Sequence, residues 1–158
     1  IFLKAAALFE DVNSDVLFLC VGDGESNVIN KYKNIALSYG IEKKVAWLGD
    51  RQDVHRILCA LDIFALTSLR GEGFSNSVAE AMATSRPVIV TDVGGSRHLV
   101  GDSGFVVSPG EVDQLLEKLE FFNNQRDLLE EYGLRGRERI CNYFSVERMV
   151  KETIDTLS

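Results

Sequence analysis

Two glutamates eight positions apart, Glu72 and Glu80, are the residues whose type and spacing most directly suggest chemistry. Gly71 and Gly73 flank the first of them, and the stretch continues into Ala- and Met-containing sequence typical of a short helix. Eight helical steps would span up to ~12 Å, so the two carboxylates are too far apart to share one proton. The spacing suits two contacts on one elongated ligand, such as a sugar at one end and a ribose at the other.

Each of these residues also has a purely structural interpretation. The sequence Ser77-Val78-Ala79-Glu80 fits a capping box, in which Glu80 would accept a hydrogen bond from the backbone N–H of Ser77. Glu72 could be an ordinary exposed loop carboxylate, and Gly71 and Gly73 could supply only the positive φ of a turn. From spacing alone, the functional and the structural interpretations both stay open.

The elements on either side of this stretch favour the functional interpretation. Short apolar runs at Ile63–Leu66 and Val88–Val90 predict buried strands before and after it. A strand that ends in a Gly-rich loop and enters a helix presents backbone N–H groups to an anion. The sequence therefore predicts a phosphate-bearing ligand at the loop and helix start.

The rest of the chain repeats this rhythm of strand and helix about every 20–25 residues, which is typical of βαβ units. We predict a Rossmann-like, three-layer α/β/α fold with a mostly parallel sheet. Ligands of such folds bind beyond the carboxyl ends of the strands. The loops expected at that edge, which we predict to form one rim, are 22–25, 49–52, 67–76 and 92–95. A helix is also expected over residues 27–39, with an apolar face formed by Val28, Tyr32, Ile35, Ala36 and Tyr39.

Composition limits the functional classes. The chain has 158 residues and a net charge of −7, which argues against a nucleic-acid binder or a polybasic membrane surface. Its three cysteines form no Cys-x-x-Cys pair, so we predict reduced thiols, with Cys20 and Cys59 buried, and a cytoplasmic location. No Cys/His cluster suggests a metal site, and no apolar run approaches the ~20 residues that span a bilayer.

The stretch from Glu72 to Ala83 resembles the E-x7-E signature of the retaining GT-B glycosyltransferases of family 4 (group 1). Further segments resemble that family in the order in which they occur along it, namely 19–24, 45–49, 62–68, 86–95, 104–107 and 144–148. The resemblance covers nearly the whole chain. It implies one nucleotide-sugar (donor) binding domain over residues 1–158, with C-terminal helices from about 111–158. The first strand and the acceptor domain of the GT-B fold are expected to lie outside this chain.

The resemblance also implies a role for each site residue. Glu72 would be catalytic and contact hydroxyls of the transferred sugar, and Glu80 would bind the ribose. The sugar pocket would be lined by the amides of Gly73, Phe74, Ser75 and Asn76, the diphosphate would meet Ser77 and Val78, and the base would border Leu48, Gly49, Asp50 and Arg51. The donor would be a UDP- or GDP-sugar, with neither metal nor cofactor required.

The implied reaction is transfer of a hexosyl group to an acceptor with retention of configuration, as in polysaccharide biosynthesis. Two departures from the family bear on it. The Arg and Lys that usually neutralise the leaving diphosphate are expected upstream of Ile1, and Arg97-His98 stand where the family often has Pro-Glu. We expect the chain alone to bind a donor weakly and to catalyse little. Any membrane association would come through the missing half. The alternatives are a GT-B sugar-nucleotide epimerase and a non-catalytic nucleotide-binding domain.

Overall fold

The computed structural model describes residues 1–71 and 73–157 of the chain. Glu72, the predicted catalytic residue, lies outside the described residues. Strands and helices alternate along most of the chain: α1 (Phe2–Val12), β1 (Phe18–Val21), α2 (Ser26–Ser38), β2 (Val45–Gly49), α3 (Val54–Ala60), β3 (Phe64–Leu66), α4 (Asn76–Ala83), β4 (Val88–Thr91), α5 (Ser96–Val100), β5 (Phe105–Val107), α6 (Val112–Asn124), α7 (Asp127–Tyr143) and α8 (Val146–Leu157).

All strand pairs are parallel, which agrees with the predicted α/β fold class. Strand β1 pairs with β2, with Phe18 opposite Val45. Strand β4 lies between β3 and β5, with Ile89 opposite both Ala65 and Phe105. The hydrogen-bonded strands thus form a two-stranded and a three-stranded sheet. The repeating rhythm of the sequence predicted parallel strands, and it carried no information on this division.

The chain divides into two compact units, which are described separately. The first contains residues 1–54 and 110–124, and α1 packs against α6 within it. Phe9 of α1 and Phe122 of α6 are both buried, and the side chains of Asn13 and Asn123 share a 2.8 Å hydrogen bond. The ring of Phe2 meets that of Phe18 edge-on at 5.9 Å. This core therefore joins segments more than a hundred residues apart.

The second unit contains residues 55–109 and the chain from 125 onward. Its central strand β4 is buried along its whole length, as expected for a continuous apolar strand covered on both faces. Helix α4 buries Val78, Ala81 and Met82 completely and packs against α7. Two buried glycines of α7, Gly133 and Gly136, lie at this contact. The helix that carries the predicted site is thus held from its buried side.

Three expectations about burial are wrong. Strand β3, which was predicted to be buried, is half-buried at all three of its residues. The predicted apolar face of α2 is largely exposed at Val28, Tyr32 and Tyr39, and only Ala36 is fully buried. Periodicity identified a face, and it could not say whether anything covers that face. Cys59 is exposed, whereas Cys20 is half-buried, and that burial raises the pKa of the Cys20 thiol to about 11.

Within residues 1–71 and 73–157, no helix combines the length and hydropathy needed to cross a bilayer. The predicted cytoplasmic location stays a prediction. Over the same residues, no three side chains of the metal-ligating types lie together.

Candidate functional site

The start of α4 is the feature around which the second unit's candidate site is built. The helix begins at Asn76, with Ser75 as its N-cap, and the Ala79 N–H is bonded to the Ser75 carbonyl at 3.1 Å. Among the described residues, the backbone N–H groups of Asn76, Ser77 and Val78 have no hydrogen-bond acceptor. No acidic residue lies in this first turn. Three free donors and the positive end of the helix dipole therefore face the end of the loop.

The capping-box alternative for Glu80 is wrong. Because the N-cap is Ser75, Ser77 lies inside the first turn rather than before it. The Ser77 hydroxyl lies 3.2 Å from that of Ser75. The Glu80 side chain is exposed and has no hydrogen-bond or ion-pair partner among the described residues. The carboxylate is thus available for a ligand, one helical turn beyond the free amides.

The loop between β3 and α4 is fixed by the loop that follows β4. The Thr91 hydroxyl donates to the Ser68 carbonyl at 2.6 Å, and the Gly95 N–H donates to the Gly73 carbonyl at 3.1 Å. A Cβ at Gly95 would lie only 3.1 Å from the same Gly73 oxygen, so a side chain there would disturb the contact. Two of the four loops predicted to share a rim are therefore in direct contact.

The other two predicted rim loops belong to the first unit. The Gly22 N–H donates to the Gly49 carbonyl at 2.8 Å, and both glycines adopt positive φ. Two residues later, Arg51 donates two 2.8 Å hydrogen bonds to the carboxylate of Asp53. This hydrogen bonding, and then the charge of Asp53, raises the pKa of Arg51. Asp50 is exposed and has no side-chain partner among the described residues.

The predicted site residues thus fall into two groups. Residues 73–78 and Glu80 form one continuous loop-and-helix segment of the second unit, whereas Leu48 to Arg51 lie at the end of β2 in the first unit. Within the group predicted to bind the base, Arg51 already forms an ion pair with Asp53. Asp50 is therefore the charged side chain of this group that remains available to a ligand. Nothing in the spacing of the sequence indicated this ion pair.

The corner at which the sequence departs from the family is occupied by an ion pair. Arg97 donates to the Asp92 carboxylate through Nε and Nη2, at 3.1 and 2.5 Å. The hydrogen bond to Asp92, and then its charge, raises the pKa of Arg97. Asp92 directly follows β4, so the pair lies at the carboxyl end of the central strand. Arg97, in α5, is therefore balanced by an acidic residue of the loop that precedes this helix.

Sequence reasoning missed the contacts that reach the loop from the end of the chain. The ring of Phe144 lies 5.7 Å from that of Phe74 and 5.6 Å from that of His98. Phe144 begins the last segment that resembles the family, and this was the one signal available for it. No local pattern could have indicated its partner, because the two phenylalanines are seventy positions apart.

Parallel strands, a Gly-containing loop and a helix start whose first amides have no acceptor among the described residues define an α/β protein, a class in which helix N-termini often bind anions. Residues 1–123 match the family model described as glycosyl transferases group 1, and the chain belongs to that family. A UDP-Gal:alpha-D-GlcNAc-diphosphoundecaprenol alpha-1,3-galactosyltransferase of Escherichia coli is 32% identical over 158 residues. That match covers 98% of this chain and 40% of the relative, so the chain spans about two fifths of the relative's length.

Solved structures show the fold. Anabaena Alr3699/HepE in complex with UDP superposes with a TM-score of 0.90 at 26% identity, over 98% of this chain and 43% of that one. The C-terminal domain of a glycosyl transferase group 1 family protein (LpcC) from Francisella tularensis gives a TM-score of 0.81 at 23% identity, over 92% and 78% of the two chains. The chain has the three-layer α/β/α fold, with parallel strands, of a GT-B C-terminal domain. The family match does not favour the epimerase alternative.

Proposed function

We propose that this chain is the donor-binding domain of a retaining, metal-independent glycosyltransferase of family 4, which transfers a hexosyl group from a nucleoside-diphosphate sugar. The observation that carries the proposal is the start of α4. Three amides with no acceptor among the described residues directly follow the Gly-containing loop, and Glu80, whose carboxylate has no partner among those residues, lies one turn further along. This segment carries the E-x7-E pattern, whose resemblance to family 4 suggested that it binds the donor.

The diphosphate would bind at the amides of Ser77 and Val78. Backbone N–H groups and the helix dipole stabilise a bound anion, and no acidic side chain in the first turn opposes it. These donors would also stabilise the negative charge that grows on the diphosphate as it leaves the sugar. Because the helix is packed on its buried side, the donors need little reorganisation when that charge develops.

The ribose would bind at Glu80. Glu80 lies three positions after Ser77, a rise of about 4.5 Å along the helix axis, which suits neighbouring groups of one nucleotide. An ionised carboxylate is an acceptor with two oxygens, so it can receive hydrogen bonds from both ribose hydroxyls. Its exposed position leaves it accessible to such a ligand.

The transferred sugar would lie over the loop that precedes α4. We assign Glu72 to its hydroxyls and the amides of Gly73, Phe74, Ser75 and Asn76 to the sugar pocket. Ser75 is buried, with only 6% of its surface exposed, and it occupies the N-cap position without a side-chain capping hydrogen bond. Its hydroxyl lies 3.2 Å from that of Ser77, and its amide remains assigned to the sugar. An oxocarbenium-like sugar would form as the diphosphate departs.

Relatives favour a uridine donor. HepE has been crystallised with UDP and with UDP-glucose, and the name of the E. coli relative specifies UDP-Gal. We therefore propose UDP-hexose as the donor class, with the base bordered by Leu48, Gly49 and Asp50. Because the relatives are longer than this chain, we also propose that an acceptor domain outside it completes the enzyme, which would serve polysaccharide assembly.

Calorimetric titration of the chain with UDP, UDP-glucose, UDP-galactose, GDP and GDP-mannose tests the proposal. We expect weak binding of the uridine ligands. Glu80→Gln should weaken UDP binding about tenfold or more, because one acceptor of the ribose becomes a neutral amide. The variant's thermal midpoint should stay unchanged, since Glu80 has no partner among the described residues.

Glu138→Gln is the matched control. Glu138 is also an exposed helical glutamate of the second unit, and it lies outside the proposed site. The Glu138→Gln variant should leave both the affinity for UDP and the thermal midpoint unchanged. Binding of none of the five ligands by a folded chain would refute the proposed function, and equal losses in the two variants would refute the role of Glu80.

A further inference from the structure

An aromatic cluster joins the proposed sugar loop to the end of α7. We define it by Phe74, His98 and Phe144, with Phe144 in the middle. Its ring lies 5.7 Å from Phe74, at an interplanar angle of 46°, and 5.6 Å from His98, nearly edge-on at 80°. All three residues belong to the second unit. The loop, the helix after β4 and the end of α7 therefore meet at one point.

Arg139 fixes the far side of this cluster. Its guanidinium donates to the carbonyls of Leu99 and His98 at 2.8 and 2.6 Å, and so ties α7 to the end of α5. The same group lies 5.8 Å from the centre of the Phe144 ring, within reach of a cation–π contact. The Phe144 ring therefore packs beside a guanidinium that is itself fixed by two hydrogen bonds.

On the near side of the cluster, the loop before α4 is hydrogen-bonded to the loop after β4 at Ser68 and at Gly73. Phe74 is 54% exposed, and among the described residues Phe144 supplies its only ring contact. Next to Phe74, Gly73 accepts the single hydrogen bond from Gly95. An anchored ring beside that hydrogen bond would restrict the conformations of the loop.

We propose that Phe144 is a positioning residue for the donor site. By holding Phe74, it keeps the amides around Gly73 and Ser75 in the arrangement that meets the transferred sugar. This inference rests on the proposed function. It extends the site to a residue seventy positions away that would not touch the donor itself.

Hydrogen exchange of single backbone amides tests the positioning without any ligand. The Gly95 amide reports on the loop, because it is bonded to Gly73, and the Asp92 amide reports on the underlying sheet, because it is bonded to Val107. Phe144→Ala should speed exchange at Gly95 about three- to tenfold, the scale of one aromatic pair, and leave Asp92 within twofold. Phe144→Tyr, which keeps the ring, should restore the wild-type rate.

Tyr143→Ala is the matched control for loss of a ring. Tyr143 is the neighbouring residue, is 55% exposed and contacts Arg139, but makes no ring contact with Phe74 or His98. It should leave exchange at Gly95 unchanged. An unchanged Gly95 rate in Phe144→Ala, or equal acceleration at Gly95 and Asp92, would overturn the proposal, because the first excludes positioning and the second indicates a general loss of stability.

Comparison of UDP with UDP-glucose tests the consequence for the donor. Phe144→Ala should weaken UDP-glucose binding about three- to tenfold and change UDP binding less than twofold, because UDP lacks the sugar that the loop would meet. Equal weakening of both ligands would overturn the assignment to the sugar. If the wild-type chain binds neither ligand, the proposed function fails, and exchange at Gly95 still decides whether Phe144 positions the loop.

Discussion

Substitution of Gly133 by alanine should destabilise the protein, although alanine is the better helix former. Gly133 lies in the interior of α7, where the helix crosses the end of α4. A Cβ at this position would lie 2.2 Å from the Ser85 carbonyl oxygen and 2.8 Å from its carbon. The first distance is more than 1 Å inside ordinary van der Waals contact. Either the helix or the Ser85 turn must therefore move.

Movement of the Ser85 turn would disrupt its own hydrogen bonds. Arg86 N–H bonds back to Ala81 and Ser85 N–H to Met82, at 2.9 and 3.0 Å, so two hydrogen bonds close the end of α4 in a Schellman arrangement. Overpacking of this kind costs about 1–3 kcal/mol, against a gain of about 1 kcal/mol from replacing glycine in a helix. We expect Gly133→Ala to lower the free energy of unfolding by up to about 2 kcal/mol.

Gly136 provides the matched control one turn later in the same helix. It is also buried, and its added Cβ would meet Met82 at an ordinary 3.6 Å. Gly136→Ala should therefore be neutral or stabilise by up to about 1 kcal/mol. The two variants should differ by about 1–3 kcal/mol, the cost of the overpacking, in urea unfolding followed by circular dichroism at 222 nm. A Gly133→Ala protein as stable as Gly136→Ala would refute the packing argument.

Two further predictions concern single backbone and thiol positions. Ser85→Gly should raise the free energy of unfolding by about 0.5–1 kcal/mol in the same urea assay. The reason is that Ser85 adopts φ +58° at the C′ position of α4, where glycine carries no steric penalty. An unchanged or lower unfolding midpoint would contradict this prediction. At pH 8, iodoacetamide should modify exposed Cys59 and Cys141 before Cys20, whose raised pKa keeps it a thiol. The free energy of unfolding should be independent of Cys20 ionisation below pH 9. It should fall as the pH rises from 9 to about 11, because in that range the Cys20 thiol ionises in the unfolded chain and stays protonated in the folded one. Mass spectrometry and pH-dependent unfolding of a Cys20→Ser comparison protein check both statements, and Cys20 labelled as fast as Cys59 would contradict them.

The sequence predicted those parts of the fold that depend on local chemistry. The continuous apolar run at Val88–Val90 predicted a fully buried strand, and β4 is one. The Ser-x-x-Glu pattern misidentified the N-cap of α4, because a second serine stands two positions earlier and the helix begins directly after it. Ser75 is 6% exposed, and burial is a tertiary feature that the pattern does not contain. The capping interpretation of Glu80 failed for that reason.

Contacts between distant segments were beyond the reach of the sequence for a different physical reason. The apolar face of α2 has the spacing of a buried helix, yet spacing specifies only which side chains share a face. The same holds for Phe74, whose neighbour Phe144 comes from the end of α7. At the candidate site, the sequence could indicate the residues that would meet a ligand. It could not indicate what holds them in place.

In helix α4, the proposed binding groups and the packing contacts occupy different places. The binding groups lie at its start, and the packing contacts lie on its inner face and at its end. In the part of the chain that the structure describes, the first turn has three amides without an acceptor, whereas the last turn is closed by two hydrogen bonds and the inner face packs against α7. Donors attached to a helix fixed in this way are already oriented when an anion arrives, so little binding energy is lost in ordering them. Changes at the α4–α7 contact should consequently alter stability and ligand affinity together, while changes at exposed Glu80 should alter affinity alone. A Gly133→Ala protein that loses stability but binds UDP as tightly as Gly136→Ala would show that the amides do not depend on this packing.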